Sequence, residues 1–459
     1  MQNLRQGAFE MGLTFWQIPV ILVLLIPAGF TFISDSSSPI TYAIEILWIM
    51  GMPIIAIALA GAFKSRNVRL SDFSGHIDET VIFQIASIAR WDVVNALERV
   101  VNSILSSAPR NLRSWLINIV IEENSEARSY LEKKYAGNER IRITVVPREY
   151  RTKKGALAKS RANQYAIENL RAQGLVSKNI WIYHLDDDTS IGPESVAAVA
   201  EHIMRYGDRY YLAQGILSFP HFLTRNFITK YADSMRPTDD LTRFYFFTNV
   251  LKMPLIGLHG ENMLVRSDIE ESVGWDNGNR AIADDSFFAL NFAYLYPGRS
   301  AFMPAITYGS SPATVRDMLK QRKRWFLNVS NLSFYGGIPV KYRAFMIYSI
   351  IFWMGMVVQN IVPVLMILHM MGIIDMAVIN PEVLFLWAFT LSFWIWFYIS
   401  GLRINREVSG VYRENIIDYA ILVFLYIFVI SPLEIIGGIL GFIGFLRNER
   451  SFEVISKPI

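Results

Sequence analysis

The chain contains no cysteine. That excludes a disulfide-stapled scaffold, a thiolate nucleophile and any cysteine-ligated zinc site. Histidine is scarce too, with six scattered in 459 residues, so no imidazole cluster is in view. Charged residues make up only 18% of the chain, against roughly 25% in an average soluble protein. The net charge of +4 singles out neither nucleic acid nor an acidic partner, and no nucleic-acid binding is expected. What the chain has in excess is apolar surface, 52% hydrophobic and 14% aromatic residues. A disordered chain is thereby excluded.

The apolar residues come in blocks. Residues 14–34 carry no formal charge, and 40–63 carry only Glu45. Both exceed the roughly 20 residues that a helix needs to cross a bilayer. A turn at 35–39 joins them, so a retained hairpin is expected rather than a cleaved signal. Two charge-free blocks follow late, at 344–374 and 383–402, and a last one at 419–446 holds only Glu434. This divides the chain into a transmembrane hairpin (1–63), a soluble domain (64–342), and a C-terminal membrane region of three to four helical segments with a short tail (343–459). Lys64, Arg66 and Arg69 on one side of the soluble domain and Lys341 and Arg343 on the other place it in the cytoplasm. The same basic residues are expected to meet lipid headgroups. Arg447, Arg450 and Lys457 put the tail there as well, which favours a helical hairpin broken at Ser431-Pro432 over a single crossing.

The soluble domain alternates strand and helix. Residues 81–88, 115–122, 142–146 and 179–185 read as strands, and 92–106, 126–135 and 155–173 as helices. Such alternation implies a largely parallel α/β sheet, whose ligands sit at the carboxyl ends of its strands. Three acidic groups fall where that rule puts a site. Glu122-Glu123 end the second strand, and Asp186-Asp187-Asp188 end the fourth. Asp284-Asp285 sit between a loop and an apolar helix. In the triplet, alternation turns Asp186 and Asp188 to one side and Asp187 to the other. Adjacent carboxylates of this kind suit a hard divalent cation bound to a diphosphate; a solvated helix N-terminus is the other reading. Asp284-Asp285 are either a helix cap or a cap plus an acid available for proton transfer. Gln321 and Arg324 share a helix face, and Trp325 beside them suits either a membrane interface or a ligand.

Taken in order, Glu-Glu-Asn-Ser at 122–125, Asp-Asp-Asp at 186–188, Ala283-Asp284-Asp285 and Gln321-x-x-Arg324-Trp325 resemble the membrane-embedded glycosyltransferases of family 2. The segments 151–168, 184–189, 232–244 and 452–457 are similar to the Egghead-type β-1,4-mannosyltransferases within it. The resemblance implies a GT-A fold joined to transmembrane helices. It also implies a role for each matching residue. Glu122, Glu123, Lys154, Asp186, Asp187, Gln321, Arg324 and Trp325 would bind the nucleotide-sugar donor, GDP-mannose or a UDP-sugar. Asp186 and Asp188 would hold Mn²⁺ or Mg²⁺. Asp285, with Asp284 and Arg324, would carry the chemistry. Gly260, Asn262 and Trp325 would face the acceptor, a lipid-linked or other glycan. The chain departs from the family in Ala283, in Asp284 where Glu is usual, and in Glu-Glu where Asp-Asp is usual.

The chemistry stands without the analogy. A diphosphate leaving group needs positive charge, from a metal at Asp186 and Asp188 and from Arg324 with Lys323 or Arg322. The acceptor hydroxyl needs one base, Asp285, and a single displacement inverts the anomeric centre. A processive synthase is the alternative, with Gln359, Asn360 and Glu434 as candidate channel lining, although hydrogen bonding between helices is the favoured role for these three. A non-catalytic nucleotide sensor is the third reading.

Overall fold

The computed structural model describes residues 39–278, 284–353, 381–411 and 416–449, with a few isolated positions at 13–21 and 368–373. Apart from those isolated positions, the expected segment at 14–34, the residues Gln359 and Asn360, and the motif at 452–457 lie outside the described residues.

The first described helix, α1 (Pro39–Ser65), precedes the sheet. β1 (Ile77–Ser87) and β2 (Leu112–Glu122) follow, joined by α2 (Trp91–Ser107). β1 is buried on both faces, with Val81, Ile82, Phe83 and Ile85 all inaccessible, as a strand covered by helices on each side must be. α2 sends Val93, Leu97, Val100, Val101 and Ile104 into the core, a spacing of three and four that makes one apolar stripe. α3 (Arg128–Lys134) leads to β3 (Ile141–Val146), and α4 (Ala158–Ala172) to β4 (Ile180–Leu185). β5 (Ser190–Ile191), α5 (Pro193–Tyr206) and β6 (Leu212–Ser218) come next, then a helical run at 227–250. β7 (Met263–Arg266), α6 (Ser267–Val273), α7 (Asp284–Leu295), β8 (Ser300–Tyr308) and α8 (Val315–Tyr335) complete the α/β unit.

The eight strands form one sheet in the order β3-β2-β1-β4-β7-β6-β8-β5. β1 pairs in parallel with β2 and β4, and β2 with β3. β7 runs antiparallel to both β4 and β6. The four strands read from the sequence are therefore the parallel half, and their carboxyl ends, at Ser87, Glu122 and Leu185, face one edge.

Among the described residues two helices beyond the sheet are long and apolar enough to cross a membrane: α9 (Pro381–Val408), within which that stretch is Phe385–Val408, and α10 (Ile416–Leu446). α10 corrects the expected hairpin. The chain stays helical through Pro432 because the turn before it, Tyr426–Ile430, opens into a π-helix. A proline lacks the N–H that continues the ladder, and a widened turn absorbs that loss without breaking the helix. Glycines then let α10 lie on α8: a Cβ at Gly437 would collide with the Cβ of Arg322, and one at Gly441 would sit 2.7 Å from that of Phe326. Small residues four apart permit this close backbone approach. The opposite face of α10 exposes Phe424, Phe428, Ile436, Ile439, Leu440 and Ile443.

Candidate active site

At the carboxyl end of β4 the chain turns through Asp186, Asp187 and Asp188, with Thr189 N donating to the Asp186 carbonyl at 3.2 Å. The three acids go different ways. Asp187 is buried and accepts a hydrogen bond from the Ser87 hydroxyl at 2.7 Å, at the end of β1. Asp188 is buried within the field of the Arg99 guanidinium. Asp186 forms an ion pair with Lys159, in the first turn of α4.

Lys159 is the centre of the cluster. Its ammonium also donates to the Gly260 carbonyl at 2.8 Å. Burial opposes its charge, but the carboxylates of Asp186, Asp284 and Asp285 hold its pKa above the ordinary lysine value. Asp284 and Asp285 arrive from the first turn of α7, where acids are favoured by the unpaired backbone N–H groups. Asp285 accepts from the N–H of Ser286 at 2.6 Å. Burial, and then the Asp285 charge, push the Asp284 carboxyl well above the ordinary carboxylate range, although Lys159 pulls it down. Gly260 passes between these groups: a Cβ there would lie 3.0 Å from Lys159 Nζ and 3.5 Å from Asp285 Oδ2. The structure thus brings Asp186, Asp284, Asp285 and Gly260 together around a lysine. Of the lysines in that stretch the family resemblance points to Lys154; the one that meets the acids is Lys159. Lys154 is exposed on the loop before α4, which is anchored by its own N–H donating to Asp276 at 2.7 Å.

Glu122 pairs with Arg161 of α4, and Arg161 Nε also reaches the Tyr150 carbonyl at 3.1 Å. Glu123 is exposed and accepts from the backbone of Arg148 at 2.8 Å. Asn262 is a correction. Its side chain is inaccessible and wholly engaged inside the sheet. The Tyr183 hydroxyl donates to its Oδ1 at 2.6 Å, and its Nδ2 donates to the carbonyls of Ile216 and Ala305 at 2.9 and 3.1 Å. It holds β4, β6 and β8 in register and has no face left for an acceptor.

The Gln321-x-x-Arg324-Trp325 segment lies on α8. Arg322, offered as a diphosphate partner, is fully buried and committed: it donates to Glu434 of α10 at 2.6 Å, Asp233 at 3.0 Å and Gln321 Oε1 at 2.6 Å. Lys323 pairs with Glu449 at 2.7 Å. Glu434 is therefore an anchor for α8 and not a channel-lining group. The Trp325 ring has the Arg236 guanidinium 4.0 Å and the Arg322 guanidinium 4.4 Å from its centroid.

The acid cluster suits a hard cation. Asp284 Oδ2 is buried with no hydrogen-bond partner, and three carboxylates share one ammonium. Among the described residues no three acidic or imidazole groups form a ready-made cage, so a metal here would draw ligands from the acids of this turn, Asp186 and Asp188, and from substrate phosphates.

The family described as glycosyl transferase family group 2 matches residues 181–399, the stretch from β4 through most of α9. The chain is 26% identical over 361 residues to the β-1,4-mannosyltransferase egh of Drosophila melanogaster, covering 78% of this chain and 74% of that one. It is 26% identical over 329 residues to the β-1,4-mannosyltransferase bre-3 of Caenorhabditis elegans, covering 70% and 68%. Among solved structures it is similar to a mannosyltransferase from Pyrobaculum calidifontis in complex with GDP-Man and Mn2+. That likeness has a TM-score of 0.46 at 11% identity over 88% of this chain and 99% of that one. The sheet with its acidic strand ends, the family match and the relatives agree: the chain is a glycosyltransferase with a GT-A-like α/β core, similar to glycosyl transferase family group 2 over just under half of its length and to the two β-1,4-mannosyltransferases over most of it.

Proposed function

We propose that the protein transfers mannose from GDP-mannose to a lipid-linked acceptor, with inversion and with the help of Mn²⁺ or Mg²⁺. The observation that carries this reading is the convergence of Asp186, Asp284 and Asp285 on Lys159 and Gly260 at the carboxyl end of the sheet. The relatives named as β-1,4-mannosyltransferases supply the sugar and the linkage.

In this reading Asp285 takes the proton of the acceptor hydroxyl. The hydroxyl oxygen bonds to the anomeric carbon as the bond from that carbon to the diphosphate breaks, so an α-linked donor yields a β-linked product. Asp186, with Asp188 of the same turn, would hold the divalent ion, which offsets the charge on the departing diphosphate. Lys159 fixes the orientation of Asp186 and of the Gly260 loop. Asp187, held by Ser87, and Glu122, held by Arg161, border the nucleoside side. Gln321, Arg324 and Trp325 close over the diphosphate and the acceptor.

The chain is proposed to sit in the membrane through the helices of 1–63 and 343–459, with the domain 64–342 cytoplasmic. The exposed apolar face of α10 and the basic residues flanking the domain support that placement. A lipid-borne acceptor follows from it. The processive alternative is the weaker reading, because Glu434 is spent on Arg322.

A donor screen on purified protein tests this. GDP release from GDP-mannose in the presence of Mn²⁺ and a lipid extract, lost in Asp285→Asn, is the expected result. Release from a UDP-sugar alone would overturn the donor assignment, and a ladder of long products would overturn single transfer.

A further inference from the structure

The charges around Trp325 do not pair off. The acids whose fields reach Arg236 are Asp233, Asp239 and Glu434. Each is engaged elsewhere. Asp233 and Glu434 accept from Arg322 at 3.0 and 2.6 Å, and Asp239 accepts twice from Arg243, at 2.6 and 2.5 Å. Neighbouring Asp240 is taken by His259 at 2.6 Å and by the N–H of Leu217 at 2.7 Å. Among the described residues no hydrogen bond or ion pair reaches the Arg236 guanidinium, and its Nε is buried without an acceptor. It is held instead over the Trp325 ring, with a second guanidinium beside it. Burial, then the charge of Arg322, press its basicity down. Its field also reaches His259, the residue before Gly260. Arg236 therefore stands between the Gln321-x-x-Arg324-Trp325 helix and the loop that crosses the acid cluster.

A partly buried guanidinium with no carboxylate hydrogen-bonded to it among the described residues keeps donors to offer. A guanidinium offers a fork of N–H donors that matches phosphate oxygens. We propose that Arg236 is an anion-binding residue of this site and that its partner is a phosphate group. Two sources present that chemistry: the diphosphate of the nucleotide-sugar donor, and a phosphate joining a lipid to its glycan. The inference rests on the transferase reading above, and it fills a gap in it, since Arg322 and Lys323 are committed elsewhere.

The test uses the full chain in detergent, as wild type, Arg236→Gln and Arg236→Lys, with thermal unfolding as the check on folding. Calorimetry with GDP, inorganic pyrophosphate and guanosine reads the first source. A loss of about ten- to hundredfold in affinity for GDP and pyrophosphate in Arg236→Gln, with guanosine binding unchanged, assigns the donor diphosphate. Unchanged GDP binding with a rise of similar size in the KM for the lipid acceptor assigns the lipid phosphate. No change in either overturns the proposal. Arg236→Lys keeps the charge but not the fork, and should fall between wild type and Arg236→Gln. If Arg236→Gln does not fold, Arg236→Lys carries the test, and wild-type affinity in it for both ligands overturns the proposal. Pyrophosphate binding that depends on Arg236, in a protein that transfers no mannose, would refute the donor assignment while leaving Arg236 as an anion site.

Discussion

Asn262 offers a sharp test, because two readings of it predict opposite experiments. As an acceptor-side residue it would affect KM and leave stability alone. In the structure its side chain makes three internal hydrogen bonds, at 2.6, 2.9 and 3.1 Å, and its backbone lies at φ 53°. Each neutral buried bond contributes about 1 kcal/mol net, so truncation should cost about 3 kcal/mol. Alanine adds about 1 kcal/mol for the left-handed backbone, which glycine does not incur. Aspartate is worse than either, because it sets a carboxylate oxygen against the Ile216 and Ala305 carbonyls where an NH₂ donated. The expected order of unfolding midpoints is wild type, Asn262→Gly, Asn262→Ala, Asn262→Asp. At this domain size 3 kcal/mol corresponds to a fall of about 6–12 °C. Differential scanning fluorimetry in detergent reads the midpoints, and initial rates against acceptor concentration read KM. An unchanged midpoint in Asn262→Ala together with a raised acceptor KM would refute the structural role.

Asp285→Asn should lower kcat by about 10²–10⁴ while GDP binding by calorimetry stays near wild type. Loss of binding instead would place Asp285 with the donor. Chelation by EDTA should abolish transfer and added Mn²⁺ restore it; full activity in EDTA would refute the metal. Glu434→Gln should lower thermal stability, since Arg322 would keep only Asp233 among its carboxylates, and should do so without a polymer-length effect. Burial depresses the imidazole of His202 from the ordinary 6.5 to about 4. The folded state therefore excludes a proton that the unfolded chain accepts. Its contribution is complete above pH 6.5 and is lost as pH falls towards about 4, amounting to about 2 kcal/mol at pH 5. The unfolding midpoint should fall from pH 7 to 5, and less steeply in His202→Phe.

Much of the architecture was legible before any coordinates. Alternating apolar runs and helical stripes marked β1 to β4 and the helices between them, because strand and helix periodicities are local properties. The acids at 122–123 and 186–188 announced themselves by sitting where such strands end, and those at 284–285 by opening an apolar helix. The break expected at Pro432 was misread for an equally local reason: proline removes one N–H, but whether the helix stops depends on the π-turn and on the packing of Gly437 and Gly441 against α8.

What the sequence determined by itself was therefore the layout: apolar blocks around a strand-helix core, and three acidic strand ends and helix starts. What only the tertiary structure decided was which charges meet. Lys159 rather than Lys154 joins the acids, Arg322 is consumed by Glu434 from 112 residues away, Asn262 is sealed inside the sheet, and Arg236 is left over. Periodicity follows from neighbours along the chain. Charge pairing follows from distance in space, where an ion pair's energy depends on a few ångströms and on the water excluded around it.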